Sequence, residues 1–190
     1  KSVNIVPTLW KQSFIASELA SYFDYFESDQ IVLKPRISAN ADNTFWLTRE
    51  NYQEKITELA AAFAERNFMV QPFMADIISE GEYSLFYFDG QYSHAILKTP
   101  KADDFRVQEE HGGRLKAISP EPKLVAQAKR SLEAIESMPL YARVDFVRHG
   151  DTFALMEAEL IEPSLYFNMD EKSATRFAQA FTQKMAKLAL

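Results

Sequence analysis

"LYARVDFVRHGDTFALMEAELIEP", residues 140–163, holds charges where a sheet normally buries apolar side chains. The turn signal "HGD" separates two runs with strand character, 140–148 and 152–160. Side chains alternate along a strand, so Arg143 and Asp145 share one face, as do Glu157 and Glu159. A loop centred on Asp151 sets Asp145 opposite Glu157 and Arg143 opposite Glu159. Opposed carboxylates repel unless something positive lies among them. Arg143 supplies one charge, and a divalent cation would supply the rest. Ligation by a few carboxylates is what Mg²⁺, or Mn²⁺, accepts when it also binds phosphates. The expectation is a metal site at Asp145, Glu157 and Glu159. The alternative is a solvated hairpin face whose charges are merely exposed. Tyr141, Val147, Phe153 and Leu155, expected on the same face, argue against a wholly wet one.

Working outward, apolar periodicity predicts helices over 12–26, 50–66, 121–137 and 171–189. Strands are predicted at 30–35, stopped by Pro35, at 44–48 and within "FMVQPF" (68–73). Asp89-Gly90 suits a two-residue turn with positive φ between strands at 83–88 and 91–98. The polar stretch 99–119, with Gly112-Gly113, shows no period and reads as a long loop of the kind that often carries function. The pattern is α+β with antiparallel hairpins.

The chain of 190 residues can bury one core or two small lobes. A net charge of −6 argues against a general nucleic-acid partner, since phosphate contacts need a basic surface. With no cysteine, disulfides, thiolate metal sites and a cysteine nucleophile are excluded. No apolar run reaches the roughly 20 residues needed to cross a bilayer. The expectation is a soluble, cytoplasmic protein with no membrane partner. The opening "KSVNIVPTLW" lacks a methionine and runs straight into apolar sequence, which suggests a segment that begins inside a longer protein.

The acidic hairpin resembles the end of the catalytic domain in ATP-grasp enzymes of the glutathione-synthetase-like and peptide-ligase-like branches. "ARVDF" (142–146) and "LMEAELIEP" (155–163) match its two strands, with Glu159 where many members have asparagine. Further segments match in order along nearly the whole chain. "VLKP" (32–35) is similar to the strand carrying the nucleotide-binding lysine, here Lys34. "RISANADNT" (36–44), with Ser38, resembles the flap folded over the phosphates, although it has no glycine. Its "KPxxSAxAxxT" pattern resembles the branch containing the cyclo-ligase of cycloserine biosynthesis. "VQPFM" (70–74) resembles the hinge that reads adenine, with Gln71 facing the base and the Phe73 and Met74 backbone contacting it. Glu82 in "GEYS" would hold the ribose hydroxyls. "DFRVQEEHGG" (104–113) resembles the loop that brings an arginine, here Arg106, to the γ-phosphate, and Lys98 would join it.

The resemblance implies an ATP-grasp fold, with two α+β lobes of antiparallel sheet gripping the nucleotide. The small lobe would be 1–72 and the large lobe 73–190. It implies ATP and Mg²⁺ as cofactors and a ligase joining a small-molecule carboxylate to an amine through an acyl phosphate. Arg143 would stabilise the tetrahedral oxyanion. It also implies a preceding N-terminal domain of the same protein, outside this chain, and leaves a homodimer open. The alternative is a regulatory module that binds nucleotide without ligation.

Overall fold

A computed structural model describes residues 3–38, 40–102 and 104–188. Ser2 of the opening stretch, Ala39 of the small-residue loop and Ala189 at the end of the last expected helix lie outside that description. The chain divides into two compact units, Val6–Ala75 and Lys1–Ile5 with Asp76–Leu190. The expected division was 1–72 and 73–190. The opening residues sit with the C-terminal part because they pair there: the Leu155 N–H donates to the Asn4 carbonyl at 2.9 Å, and Asn4 Nδ2 donates to the Phe153 carbonyl at 2.7 Å.

In the unit Val6–Ala75 the elements run β1 (Leu9–Lys11), α1 (Leu19–Tyr25), β2 (Gln30–Pro35), β3 (Phe45–Thr48), α2 (Ile56–Phe63) and β4 (Phe68–Pro72). The strands form an antiparallel sheet in the order β1-β4-β2-β3. Alternation in β2 sends Ile31, Leu33 and Pro35 to the helix-covered side, where they join Leu19, Phe23, Leu59, Phe63 and Phe68. Burying side chains of this size contributes about 2–3 kcal/mol each. Val32 and Lys34 consequently point to the other face.

Two expected helices are shorter than their periodicity suggested. The Phe14 N–H donates to the Phe63 carbonyl at 3.2 Å, which holds the chain extended there, and α1 starts only after a 3₁₀ turn at Ala16–Glu18. Another 3₁₀ turn, Tyr52–Lys55, replaces the first turn of the helix expected from 50.

The second unit continues with α3 (Asp76–Ser79), β5 (Glu82–Phe88), β6 (Gln91–Thr99), β7 (Arg114–Ile118), α4 (Pro122–Glu133), β8 (Tyr141–His149), β9 (Thr152–Glu159) and α5 (Ser173–Leu188). Its five strands lie in the order β7-β6-β5-β8-β9, all antiparallel. One face of this sheet, with Leu85, Ala95, Val144, Phe146 and Phe153, packs on Leu124, Ala128 and Leu132 of α4. Asp89 and Gly90 both take positive φ, +45° and +78°, so the β5–β6 turn forms as its sequence predicts. The strand β7 was not expected within 99–119; it is an exposed edge strand held by ladder bonds to β6 and needs no apolar alternation. Among the described residues, no helix is long and apolar enough to cross a membrane.

Candidate active site

Near the turn, β8 pairs His149 with Thr152 and Phe146 with Leu155. A bulge between Phe146 and Asp145 then makes Met156 an extra residue, and the register resumes with Asp145 opposite Glu157 and Arg143 opposite Glu159. The expected carboxylate pairing is present, but Phe153 and Leu155 are not on its face. They belong to the α4 side, because the bulge reverses the alternation before Glu157. A second bulge, between Phe86 and Tyr87, resets the β5–β6 register and sets Glu82 opposite Lys98.

These two corrections assemble one polar cluster in the sheet. Lys98 Nζ lies 3.0 Å from Glu82 Oε1 and 3.5 Å from Asp145 Oδ2. Arg143 Nε donates to Asp145 Oδ2 at 3.0 Å, and its Nη2 pairs with Glu159. Asp145 is wholly buried, Lys98 is 4% exposed, and Arg143 is 7% exposed. Burial opposes the charges of Lys98, Arg143 and Asp145. The neighbouring carboxylates nevertheless hold the Lys98 ammonium up to about 12, and Lys98 and Arg143 hold the Asp145 carboxyl below its usual range. For Glu159 burial prevails, reinforced by Asp145, and its carboxyl is raised despite Arg143.

Oxygen atoms of Asp145, Glu157 and Glu159 lie within 4.8 Å of one another. Among the described residues Glu82 stands with these three carboxylates, and Lys98 and Arg143 are the cations paired to Glu82, Asp145 and Glu159. The all-oxygen donor set fits a hard divalent cation. The cluster's further member is Ser84, fully buried and directly across from Asp145. The sequence reading missed Ser84, although a hydroxyl inside the apolar strand "EYSLFYF" was the available signal.

Arg106 is not brought into this cluster. Its guanidinium is engaged by Asp104 through Nε at 3.1 Å and Nη2 at 2.9 Å. Asp104, held down to about 2 chiefly by that hydrogen bond, also caps the Phe105 and Arg106 N–H groups.

Within Val6–Ala75, Lys34 lies on the face of the sheet opposite the helices, half-buried, and no ion pair to it occurs among the described residues. Gln71 is on that face opposite Val32, 5% exposed, donating to Thr8 Oγ1 at 2.9 Å. Trp46, also opposite Val32, stacks on Phe73 with ring centroids 4.4 Å apart. The Phe73 N–H is occupied by the Gln30 carbonyl at 3.0 Å, whereas among the described residues the Met74 N–H has no backbone acceptor. Ser38 donates to the Asp42 carbonyl at 2.9 Å, inside its own loop. In that loop Asn40, Ala41 and Asn43 all have φ near +55° (54°, 56° and 55°), so residues with side chains adopt the left-handed backbone that glycine favours.

A separate cavity of about 400 Å³ is lined by Phe88, Tyr92, Asp89 and Arg176 among others. Its charges are already matched, Arg176 with Asp170 and Asp89 with Lys184 and Lys187, so it offers no unsatisfied charge for chemistry.

Residues 3–135 match the family model for the ATP-grasp domain of prokaryotic glutathione synthetase. The chain belongs to that ATP-grasp family. The cycloserine biosynthesis protein DcsG of Streptomyces lavendulae is 30% identical over 177 residues, which is 84% of this chain and 56% of that protein. The crystal structure of the D-cycloserine synthetase DcsG superposes with a TM-score of 0.81 at 26% identity, covering 96% of this chain and 65% of that one. The ATP-grasp ligase PsnB, in a complex with minimal precursor, Mg and ADP, gives a TM-score of 0.66 at 16% identity over 95% of this chain and 54% of its own, a likeness of fold. The chain thus spans about half to two thirds of the length of these relatives. The family match ends before β8, so the acidic hairpin rests on its own geometry and on the whole-chain superpositions.

Proposed function

We infer that this chain is the nucleotide-binding and ligating part of an ATP-dependent enzyme joining a carboxylate to an amine. The carrying observation is the group of three carboxylates, Asp145, Glu157 and Glu159, beside the buried cations Lys98 and Arg143. Such a cluster is costly to bury. Its converging carboxylate oxygens beside buried cations suit a site that takes up a metal cation together with polyphosphate. Family membership, and the Mg and ADP held in the PsnB complex, support ATP and magnesium as what it takes up.

In this reading a carboxylate oxygen of the substrate attacks the γ-phosphorus of ATP. The bond to the bridging oxygen breaks, ADP leaves, and an acyl phosphate remains. The amine then attacks the acyl carbon, the tetrahedral oxyanion collapses, phosphate departs with the C–O bond pair, and the amine proton passes to solvent. No covalent bond to the protein is required, so catalysis is positioning and charge neutralisation.

Asp145, Glu157 and Glu159 would hold the metal ion, which when bound would neutralise phosphate charge. Arg143 would stabilise the oxyanion, and Arg106 would meet the transferred phosphoryl group after exchanging Asp104 for it. Lys98 would hold Asp145 ionised and serve phosphate; Glu82 would accept from the ribose hydroxyls. In the unit Val6–Ala75, Lys34 and Ser38 would contact phosphate, Gln71 would face the base, and the Phe73 and Met74 segment would read it through the Met74 N–H.

The test is calorimetric titration with a non-hydrolysable ATP analogue, with and without magnesium, on the wild-type chain and on Lys34→Ala and Glu157→Ala. Magnesium-dependent binding weakened by both changes is expected, and with ATP in place of the analogue, ADP release when a carboxylate and an amine are present. A regulatory nucleotide module would bind the analogue but release no ADP with any pair. Binding that ignores Glu157→Ala would remove the metal assignment.

A further inference from the structure

Ser84 takes no part in the ion pairs of the polar cluster. It is fully buried within β5, and its hydroxyl has no hydrogen-bond partner among the described residues. A hydroxyl left without a partner in a place closed to water is destabilising, and an alanine, smaller by that one atom, would avoid the cost. A buried polar group of this kind calls for a reason.

The neighbours of Ser84 narrow the choice. Alternation puts it on one face with Glu82 and Phe86, and the strand pairing sets Ile96 on one side of it and Asp145 on the other. The side chains of Phe86 and Ile96 offer no acceptor. Glu82 lies two residues along the strand and is engaged by Lys98 at 3.0 Å. Asp145 is directly opposite, where Cβ atoms of a cross-strand pair stand about 4.5–5.5 Å apart. Against the effect of burial, and after Lys98 and Arg143, the serine helps hold the Asp145 carboxyl below its usual range, yet its hydroxyl is not aligned into a hydrogen bond.

The donors that Asp145 does have are shared. Arg143 Nε reaches both of its oxygens, at 3.2 and 3.0 Å, but Nη2 of the same guanidinium pairs with Glu159. Lys98 Nζ stands 3.5 Å from Oδ2 and closer to Glu82. Both cations end long side chains that can follow a phosphate or an oxyanion. The serine hydroxyl, by contrast, sits one bond from a Cβ fixed in the ladder and aims its proton by χ1 and hydroxyl rotation alone. When an incoming anion draws Lys98 and Arg143 towards itself, Ser84 is the donor that stays opposite the carboxylate.

We propose, resting on the metal site inferred above, that Ser84 is a positioning residue of that site: its hydroxyl donates to Asp145 when the cation and polyphosphate bind, and so fixes the carboxylate as a ligand. Hydrogen-bond partners behind a ligating group contribute about 10–100-fold to metal affinity.

The test is calorimetric titration of the chain with a non-hydrolysable ATP analogue, without magnesium and at saturating magnesium. The wild-type chain should bind more tightly with the ion, and Glu157→Ala should lose that gain. Ser84→Ala should weaken the magnesium-dependent binding about 10–100-fold and leave magnesium-free binding unchanged. Its urea midpoint should not fall below that of the wild type, because the hydroxyl it removes has no partner in the free protein. Ser84→Thr keeps the hydroxyl and should keep the magnesium effect. A magnesium effect undiminished in Ser84→Ala, or one lost equally in Ser84→Ala and Ser84→Thr, would overturn the proposal and leave the metal site standing. A lowered urea midpoint with an undiminished magnesium effect would make the hydroxyl structural only, which also overturns it. No magnesium effect in the wild-type chain would overturn the metal site itself, and the role of Ser84 with it.

Discussion

Lys98 and Glu157 belong to one cluster yet answer to different forces. Lys98 is buried between two buried carboxylates, so Lys98→Met strands Glu82 and Asp145 without their shared cation. Removing one partner of a buried pair costs roughly 3–5 kcal/mol, and a urea titration should show a loss of that size. Glu157 is exposed, so Glu157→Gln should change stability by less than about 1 kcal/mol while weakening magnesium binding. A stable Lys98→Met protein would mean that the carboxylates are solvated. His94, outside the cluster, supplies a pH response. It is 5% exposed, stacks on Phe86 at 4.3 Å, and is bound through Nε2 to the Leu165 carbonyl, and burial lowers its pKa from the ordinary 6.5. Above 6.5 both folded and unfolded states carry neutral imidazole, and it contributes no slope. Below 6.5 the unfolded chain takes up a proton that the folded protein resists, so stability falls as pH falls towards the lowered value. His94→Phe should flatten the stability profile below pH 6.5, measured by thermal unfolding as the pH is lowered from neutrality.

The glycines of the 104–113 loop act through sterics at the level of the element. A Cβ on Gly113 would stand 2.0 Å from the Val107 carbonyl oxygen, an impossible contact against backbone. Gly113→Ala should therefore open the turn that Gly113 N–H closes onto the Gln108 carbonyl at 3.1 Å. Amide exchange across residues 108–113 should speed up, with β8 and β9 unaffected. Protection unchanged from wild type would show that the Val107 backbone can move aside. The same loop marks a limit of what periodicity reveals. Asp89-Gly90 and the Pro35 stop were readable because turn and proline chemistry are local. Strand β7 was not, because an edge strand held by ladder bonds carries no required apolar alternation. The bulges in β5–β6 and β8–β9 were equally hidden. The carboxylate pairing was foreseen, but the face of Phe153 and Leu155 was not, because one extra residue, Met156, reverses the alternation and leaves no glycine to announce it. The Glu82–Lys98 pair was missed for the same reason, since it depends on a register shift rather than on the turn.

The described residues form two hydrophobic cores, one built around Phe23, Leu33, Leu59 and Phe68 and the other around Leu85, Leu124, Val144 and Phe146. The contact division between Val6–Ala75 and the remainder follows those cores. Both tryptophans, Trp10 and Trp46, fall in Val6–Ala75, so intrinsic fluorescence reports that unit while far-ultraviolet circular dichroism reports both. A chain with two cores need not unfold in one step. Leu33 is fully buried in the first core, and Leu33→Ala should cost roughly 2–5 kcal/mol there. Its fluorescence midpoint in urea should fall well below wild type, with only part of the dichroism signal following. Phe146→Ala, equally buried in the second core, should do the reverse, moving the dichroism midpoint and leaving fluorescence nearly in place. If both variants shift both signals together, the two units unfold as one cooperative block, and coupling between them carries stability comparable to that of either core.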